Sequence, residues 1–329
     1  MKYVTRNAAL LAAVLLALGS QTPAQAQDHS YAVQQHWTLG DAGKWDFAAL
    51  DAERHHLFLT HGTAVEVVDT QSGKLIGQIP AHGAHGVAFA QDLKLGFISN
   101  GQSNTVTAFD LDTLQVKQEI TMPGKNPDVI IYEPTVHKVY VFNGKSADIS
   151  VIDAATQKVE RTYAAAGKPE FAVSNGAGKI FFNIEDKAQI GVIDVATDKI
   201  ITTWPLKGCV EPSGLALDTA HQRLFSVCQN KTMAVTDAQT GHAIASVAIG
   251  EHPDAVVYDA QRATILSSNG GAGGSLSVIQ QQDGDHYAPA ASVVTAQGAK
   301  TIALDAESGT VYLPTALDGK FSVLLVARK

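Results

Sequence analysis

The chain has 329 residues, of which 45% are hydrophobic and only 17% charged, with 28 glycines and 11 prolines. That apolar content excludes wholesale disorder, and a formal charge of −8 argues against a phosphate-backbone binder, which needs a positive footprint. Length alone suggests about two domains of roughly 150 residues, a prior that large repeat architectures break.

Lys2 and Arg6 precede an apolar run from Ala8 to Leu18, which leads to Ala24-Gln25-Ala26. A charged start, a short apolar stretch and a small-x-small site form the pattern of a secretory signal peptide, cut after Ala26. The run of about 11 residues is too short to cross a bilayer, which takes about 20. Residues 27–329 keep 22 cationic and 32 anionic side chains, a net charge of −10. They are expected to form a single exported domain, periplasmic or secreted, monomeric and without a membrane span.

From residue 31 onward the pattern is strand-like, with no convincing helical period. One phrase recurs, a β-branched or apolar pair, then Asp, two further residues and Thr. Its anchors are Asp69, Asp110, Asp153, Asp194, Asp237 and the degenerate Gln280 and Leu325, spaced 41 to 45 residues apart. Seven copies of a unit this long, built from short strands, predict an all-β, seven-bladed β-propeller with four-stranded antiparallel blades. The aspartates are expected to close turns by accepting backbone N–H bonds.

A second phrase keeps register with the first. Trp45-Asp46, Ala84-His85, Pro127-Asp128, Pro169-Glu170, Pro212-Ser213, Pro253-Asp254 and Ala299-Lys300 lead into alternating strands, placing blade starts near 45, 84, 127, 169, 212, 253 and 299. A second strand ends 14 or 15 residues after each lead-in, at His61, Asn100, Asn143, Ile184, Cys228, Asn269 and Thr315. The last copy supplies three strands, and residues 31–39 read as an orphan fourth. Pairing the two would close the ring and remove exposed edges.

Tyr140-Val141-Phe142-Asn143, Phe97-Ile98-Ser99-Asn100 and Leu266-Ser267-Ser268-Asn269 are variants of a Tyr-Val-Thr-Asn repeat. Together with Asn126-Pro127-Asp128, His252-Pro253-Asp254 and the Val-Ile-Asp phrase, they make residues 31–326 resemble the YVTN-repeat, YncE-like seven-bladed propellers. The resemblance implies fold and export; some members of the family are similar to nucleic-acid-binding or surface proteins. The chain departs from the pattern where Ile184 replaces the Asn and where Pro314-Thr315 ends the last copy. It departs from WD40 propellers in having three tryptophans and no repeating Trp-Asp.

In a propeller the lead-ins to the innermost strands and the hairpins after the second strands open on one face. Asp46, His85, Asp128, Glu170, Ser213, Asp254 and Lys300 should therefore ring the channel mouth. His61, Asn100, Asn143, Cys228 and Asn269 should lie just outside. That ring is the default binding site. Asp46, Asp128, Glu170 and Asp254 would repel one another unless screened. Carboxylates with Asn carbonyls suit Ca²⁺, whereas His61, His85 and His252 suit Zn²⁺ or Cu²⁺. Caps on strand starts account for the same acids without a metal, so no cofactor is required.

Cys209 and Cys228 fall on this face in one blade, and in an exported protein they are expected to form a disulfide. Catalytic signatures are missing. Gly144-Lys145-Ser146 lacks the upstream glycine of a phosphate loop, and there is neither HExxH nor GxSxG. Asn269-Gly270-Gly271-Ala272-Gly273-Gly274 has no following helix, Asp283-Gly284-Asp285 falls short of an EF-hand, and residues 280–288 read as an exposed insertion. The leading expectation is a non-catalytic scaffold binding a protein, glycan or small molecule at the mouth. The alternatives are a metal-dependent propeller hydrolase or lactonase, and a transition-metal or redox accessory protein using His85 and His252.

Overall fold

The computed structural model describes residues 30–329 together with Met1, so the signal segment read over residues 1–26 lies, apart from Met1, outside the described residues. Seven four-stranded sheets follow one another around a ring, each antiparallel from its inner to its outer strand. Six are contiguous in sequence. The seventh is assembled from both ends of the described chain: Tyr31–Asp41 pairs with Lys320–Arg328, with Tyr31 opposite Arg328 and Asp41 opposite Lys320.

Alternation drives this arrangement. The second and third strands of each blade, such as Leu95–Asn100 and Thr105–Asp110, are buried along almost their whole length because each is covered by a neighbouring blade on both faces. Outer strands alternate with solvent, as in Val116–Thr121. Interlocking apolar clusters between adjacent blades form the core, and burial of that surface holds the ring together.

The Asp phrase performs the expected turn chemistry. Asp153 accepts from the backbone N–H and hydroxyl of Thr156, both at 2.7 Å. Asp194 does the same with Thr197 and Asp237 with Thr240. Each bond ties down the turn between the third and outer strands.

Inner strands start at Trp45, Ala84, Pro127, Pro169, Pro212 and Pro253. The seventh departs from the expected start near 299. Its inner strand is only Ala303–Asp305, and Gly298 to Lys300 instead form a tight turn in which the Lys300 N–H bonds the Gly298 carbonyl at 2.8 Å. Gly298, at φ 80°, sets that turn in a backbone region that suits glycine.

Among the described residues no helix is long and apolar enough to cross a membrane. The 280–288 insertion is an exposed hairpin tip closed by Asp283, which accepts from the N–H groups of Asp285 and His286. Arg223 of the fifth blade docks it through the Gly284 carbonyl at 2.8 Å. Asp283 therefore serves a turn rather than a calcium loop.

Candidate functional site

Six of the seven inner strands begin with a slip in register. Trp45 pairs with His61, but the next pair is Ala48 with Leu59; equivalent slips follow Ala84, Pro127, Pro169, Pro212 and Pro253. A bulge of this kind frees residues from the ladder and re-aims their side chains. The freed positions include Asp46, His85, Asp128, Glu170, Ser213 and Asp254. With Lys300 from the seventh blade's turn they line one cavity of about 220 Å³ at the channel mouth, joined by Lys168, Glu185 and Gln229. Its floor contains Phe47 and Phe171, whose rings stack 4.7 Å apart.

Backbone carbonyls behind these side chains are fixed by the neighbouring blade. The Ser99 hydroxyl donates to the Asp128 carbonyl, and Thr301 to that of Asp46. The Asn183 amide donates to the Ser213 and Gly214 carbonyls, both at 3.0 Å. The mouth is therefore preorganised by bonds running between blades.

Charges at the rim alternate. Lys300 bridges Asp46 at 3.1 Å and Asp254 at 2.9 Å. His85 Nδ1 lies 2.6 Å from Asp46 and 3.6 Å from Asp128. Lys168 lies 2.9 Å from Glu170 and also pairs with Glu185. Five carboxylates thus face two lysines and one histidine.

Their ionisation follows from burial and neighbours. Burial opposes the Asp46 anion, but the His85 bond and the Lys300 charge hold its carboxyl below the usual carboxylate range. Asp128 is pushed up to about 6 by burial, with Asp46 and Asp254 adding and His85 and Lys168 opposing. Burial and the Asp128 charge push Glu170 up to about 7 against the pull of Lys168. Asp254 is raised by burial despite Lys300. Burial works against the His85 cation, yet Asp46 and Asp128 raise its pKa.

Among the described residues, Asp46, His85 and Asp128 are the group whose ligand atoms all lie within 4.8 Å of one another. The expected histidine set does not assemble. His61 stacks on Phe321 at 4.0 Å and turns Nδ1 to Glu66 at 3.0 Å, within its own part of the ring. His252 is exposed at the turn before Pro253, in a left-handed conformation at φ 50°.

The asparagines also depart from expectation. Asn100 is buried and donates to Thr105 and Thr107 of the third strand at 3.2 and 2.8 Å. Asn143 donates to Asp148 at 2.7 Å and Ser150 at 3.1 Å, and Asn269 to Ser275 and Ser277. The last residue of these second strands uses its amide N–H groups to lock its own hairpin, and none of the three lines the mouth cavity. Cys209 and Cys228 are joined in a disulfide, with Cα atoms 5.4 Å apart.

Sequence reasoning missed Lys168, Glu185, Gln229 and the two phenylalanines. Phe47 and Phe171 follow Asp46 and Glu170 directly, and that shared aromatic-after-acid spacing was a usable signal. Glu185 begins a 3-10 turn, Glu185–Lys187, in the blade where Ile184 replaces Asn.

Fold and site together define a seven-bladed propeller with an acidic, aromatic-floored channel mouth. No family profile matches the chain. Over 136 residues, 40% of its length, it is 29% identical to Antigen Lp49 of Leptospira interrogans serogroup Icterohaemorrhagiae serovar copenhageni; that match spans 30% of the antigen's length. The chain is similar in structure to one in the crystal structure of the mitotic checkpoint complex, with a TM-score of 0.78 at 12% identity, covering 98% of this chain and 99% of that one. It is similar to U3-55K (TM-score 0.77, 8% identity, 90% and 99% covered) and to the RRP9 WD40 repeats (0.76, 8%, 90% and 98%). At these identities the likeness is one of fold alone.

Proposed function

We propose that the protein is an exported, YVTN-type propeller that binds a partner or ligand through the channel mouth without transforming it. The observation that supports this most is the convergence of Asp46, His85, Asp128, Glu170, Asp254 and Lys300, from six different blades, on one cavity. Export rests on the Lys2 to Ala26 pattern, and family membership on the Asn-ended second strands and Pro-Asp lead-ins. The test compares wild type with an Asp128→Asn/Glu170→Gln variant. Ligands that raise the melting temperature of the first and not the second support the reading. Steady turnover of lactone or phosphoester substrates, abolished by Asp46→Asn, overturns it.

A second reading is favoured by the Asp46, His85 and Asp128 grouping. Two carboxylates and one imidazole suit a first-row divalent ion better than Ca²⁺, which prefers six to eight oxygens. Such an ion would supply Lewis acidity for a hydrolase or lactonase, with Glu170 and Asp254 close by. Elemental analysis after metal-replete purification decides: one bound ion per chain, lost in His85→Ala, supports this reading, and sub-stoichiometric metal removes it.

A further inference from the structure

The mouth does not end at its rim. A second cavity of about 520 Å³ shares Asp46, His85 and Lys300 with it and continues between Trp45, Thr63, Gln102 and Asn126. Cavity and groove are therefore continuous, and a ligand seated in one abuts the other.

We propose that mouth and groove form one bipartite site for an extended peptide segment of a partner protein, whose single lysine or arginine side chain enters the mouth. The inference rests on the mouth-binding reading above and adds to it the class of partner.

Three observations carry it. First, the rim carries more acids than bases. Lys300, His85 and Lys168 each bridge two carboxylates, but among the described residues no ion pair links Asp128 to Glu170 in the adjoining blade, and none links Glu185 to Asp254 past Ser213 and Gln229. A guest ammonium or guanidinium between Asp128 and Glu170 supplies the counter-charge that the first of these places lacks.

Second, the mouth, at about 220 Å³, is smaller than the ~300–1,000 Å³ typical of drug-sized ligand sites, and its size suits a side-chain head. The Phe47 and Phe171 floor suits an alkyl stem and the face of a cation. Third, the groove presents amide and hydroxyl groups on Gln102, Asn126 and Thr63, which match a peptide backbone. It also carries Lys44, which with Lys300 repels a second cation. The segment therefore holds one basic residue among neutral or acidic ones, and a polybasic tract is disfavoured.

The test uses the purified protein and two seven-residue peptide libraries, one with lysine fixed at the centre and one with norleucine there. Expected is enrichment of binders from the lysine library alone. Their affinity should fall at least tenfold on changing lysine to norleucine in the peptide, and similarly in Asp128→Asn and Glu170→Gln. Because the peptide substitution leaves the protein untouched, a folding defect in either variant cannot mimic the result. Equal enrichment from both libraries, or lysine peptides that bind both variants as well as wild type, overturns the proposal. Failure of all peptides alongside mouth-dependent binding of a glycan or metal ion overturns the peptide but leaves the mouth reading standing. Ligands insensitive to every mouth variant overturn both.

Discussion

Phe47 and Phe171, 124 residues apart in sequence and rooted in the first and fourth blades, stack at 4.7 Å with their planes 23° apart. The contact reaches across the ring between two non-adjacent blades, and both rings line the charged mouth. Phe171→Ala should cost about 2–3 kcal/mol, somewhat less than a fully buried Phe→Ala, since neither ring is wholly enclosed. Urea denaturation measures the cost. A change within ±0.5 kcal/mol would show that the stack is incidental.

The mouth should make the protein less stable as pH rises. Asp128 and Glu170 have folded pKa values of about 6 and about 7, above their usual 3.8 and 4.5. Between those limits the folded state holds more protons than the unfolded one, so stability falls with increasing pH. His85 acts in the same direction: its raised pKa favours folding at low pH, and that contribution is lost as pH rises through the folded value. Asp46, whose pKa is lowered, opposes them. In metal-free protein the melting temperature should drop between about pH 4 and 7. Asp128→Asn should flatten that slope and stabilise the fold at pH 8 by on the order of 2 kcal/mol. A steeper slope in the variant would refute the assignment.

Asn143→Ala should leave Asp148 and Ser150 short of a donor and cost about 1–2 kcal/mol. Binding at the mouth should be unchanged, because Asn143 faces its own hairpin. Loss of binding with stability intact would return this residue to the site.

Replacing both Cys209 and Cys228 by Ser should cost about 3 kcal/mol, the value expected for a loop of this length. Intact mass should rise by two hydrogen atoms on reducing the wild type, as the disulfide takes up two electrons and two protons. Both cysteines are buried, so that rise should require denaturant.

The ring was legible because its punctuation is local. An Asp at 153, 194 or 237 closes a turn with the Thr three residues on, whatever the rest of the chain does. Lead-ins such as Pro127-Asp128 were equally visible, and they do deliver their second residue to the mouth. What stayed hidden was direction at the strand ends. Asn100 and Asn143 occupy the right face by count, but hydroxyls and a carboxylate on the next strand draw them outward. Asn183, one position earlier than the repeat demands, was passed over and yet fixes the Ser213 and Gly214 carbonyls. Lys168 and Glu185 pair with each other from opposite sides of a blade's first hairpin, a relation that appears only once the strands are laid side by side.

The seventh sheet has one more implication. Inner strands run away from the mouth and the outer strand of each blade runs back toward it, so Tyr31 and its partner Arg328 both sit on the underside. A tether, tag or fusion attached before residue 30 or after residue 329 would leave from that underside. The mouth would then point away from whatever surface the molecule was fastened to, open to the surroundings.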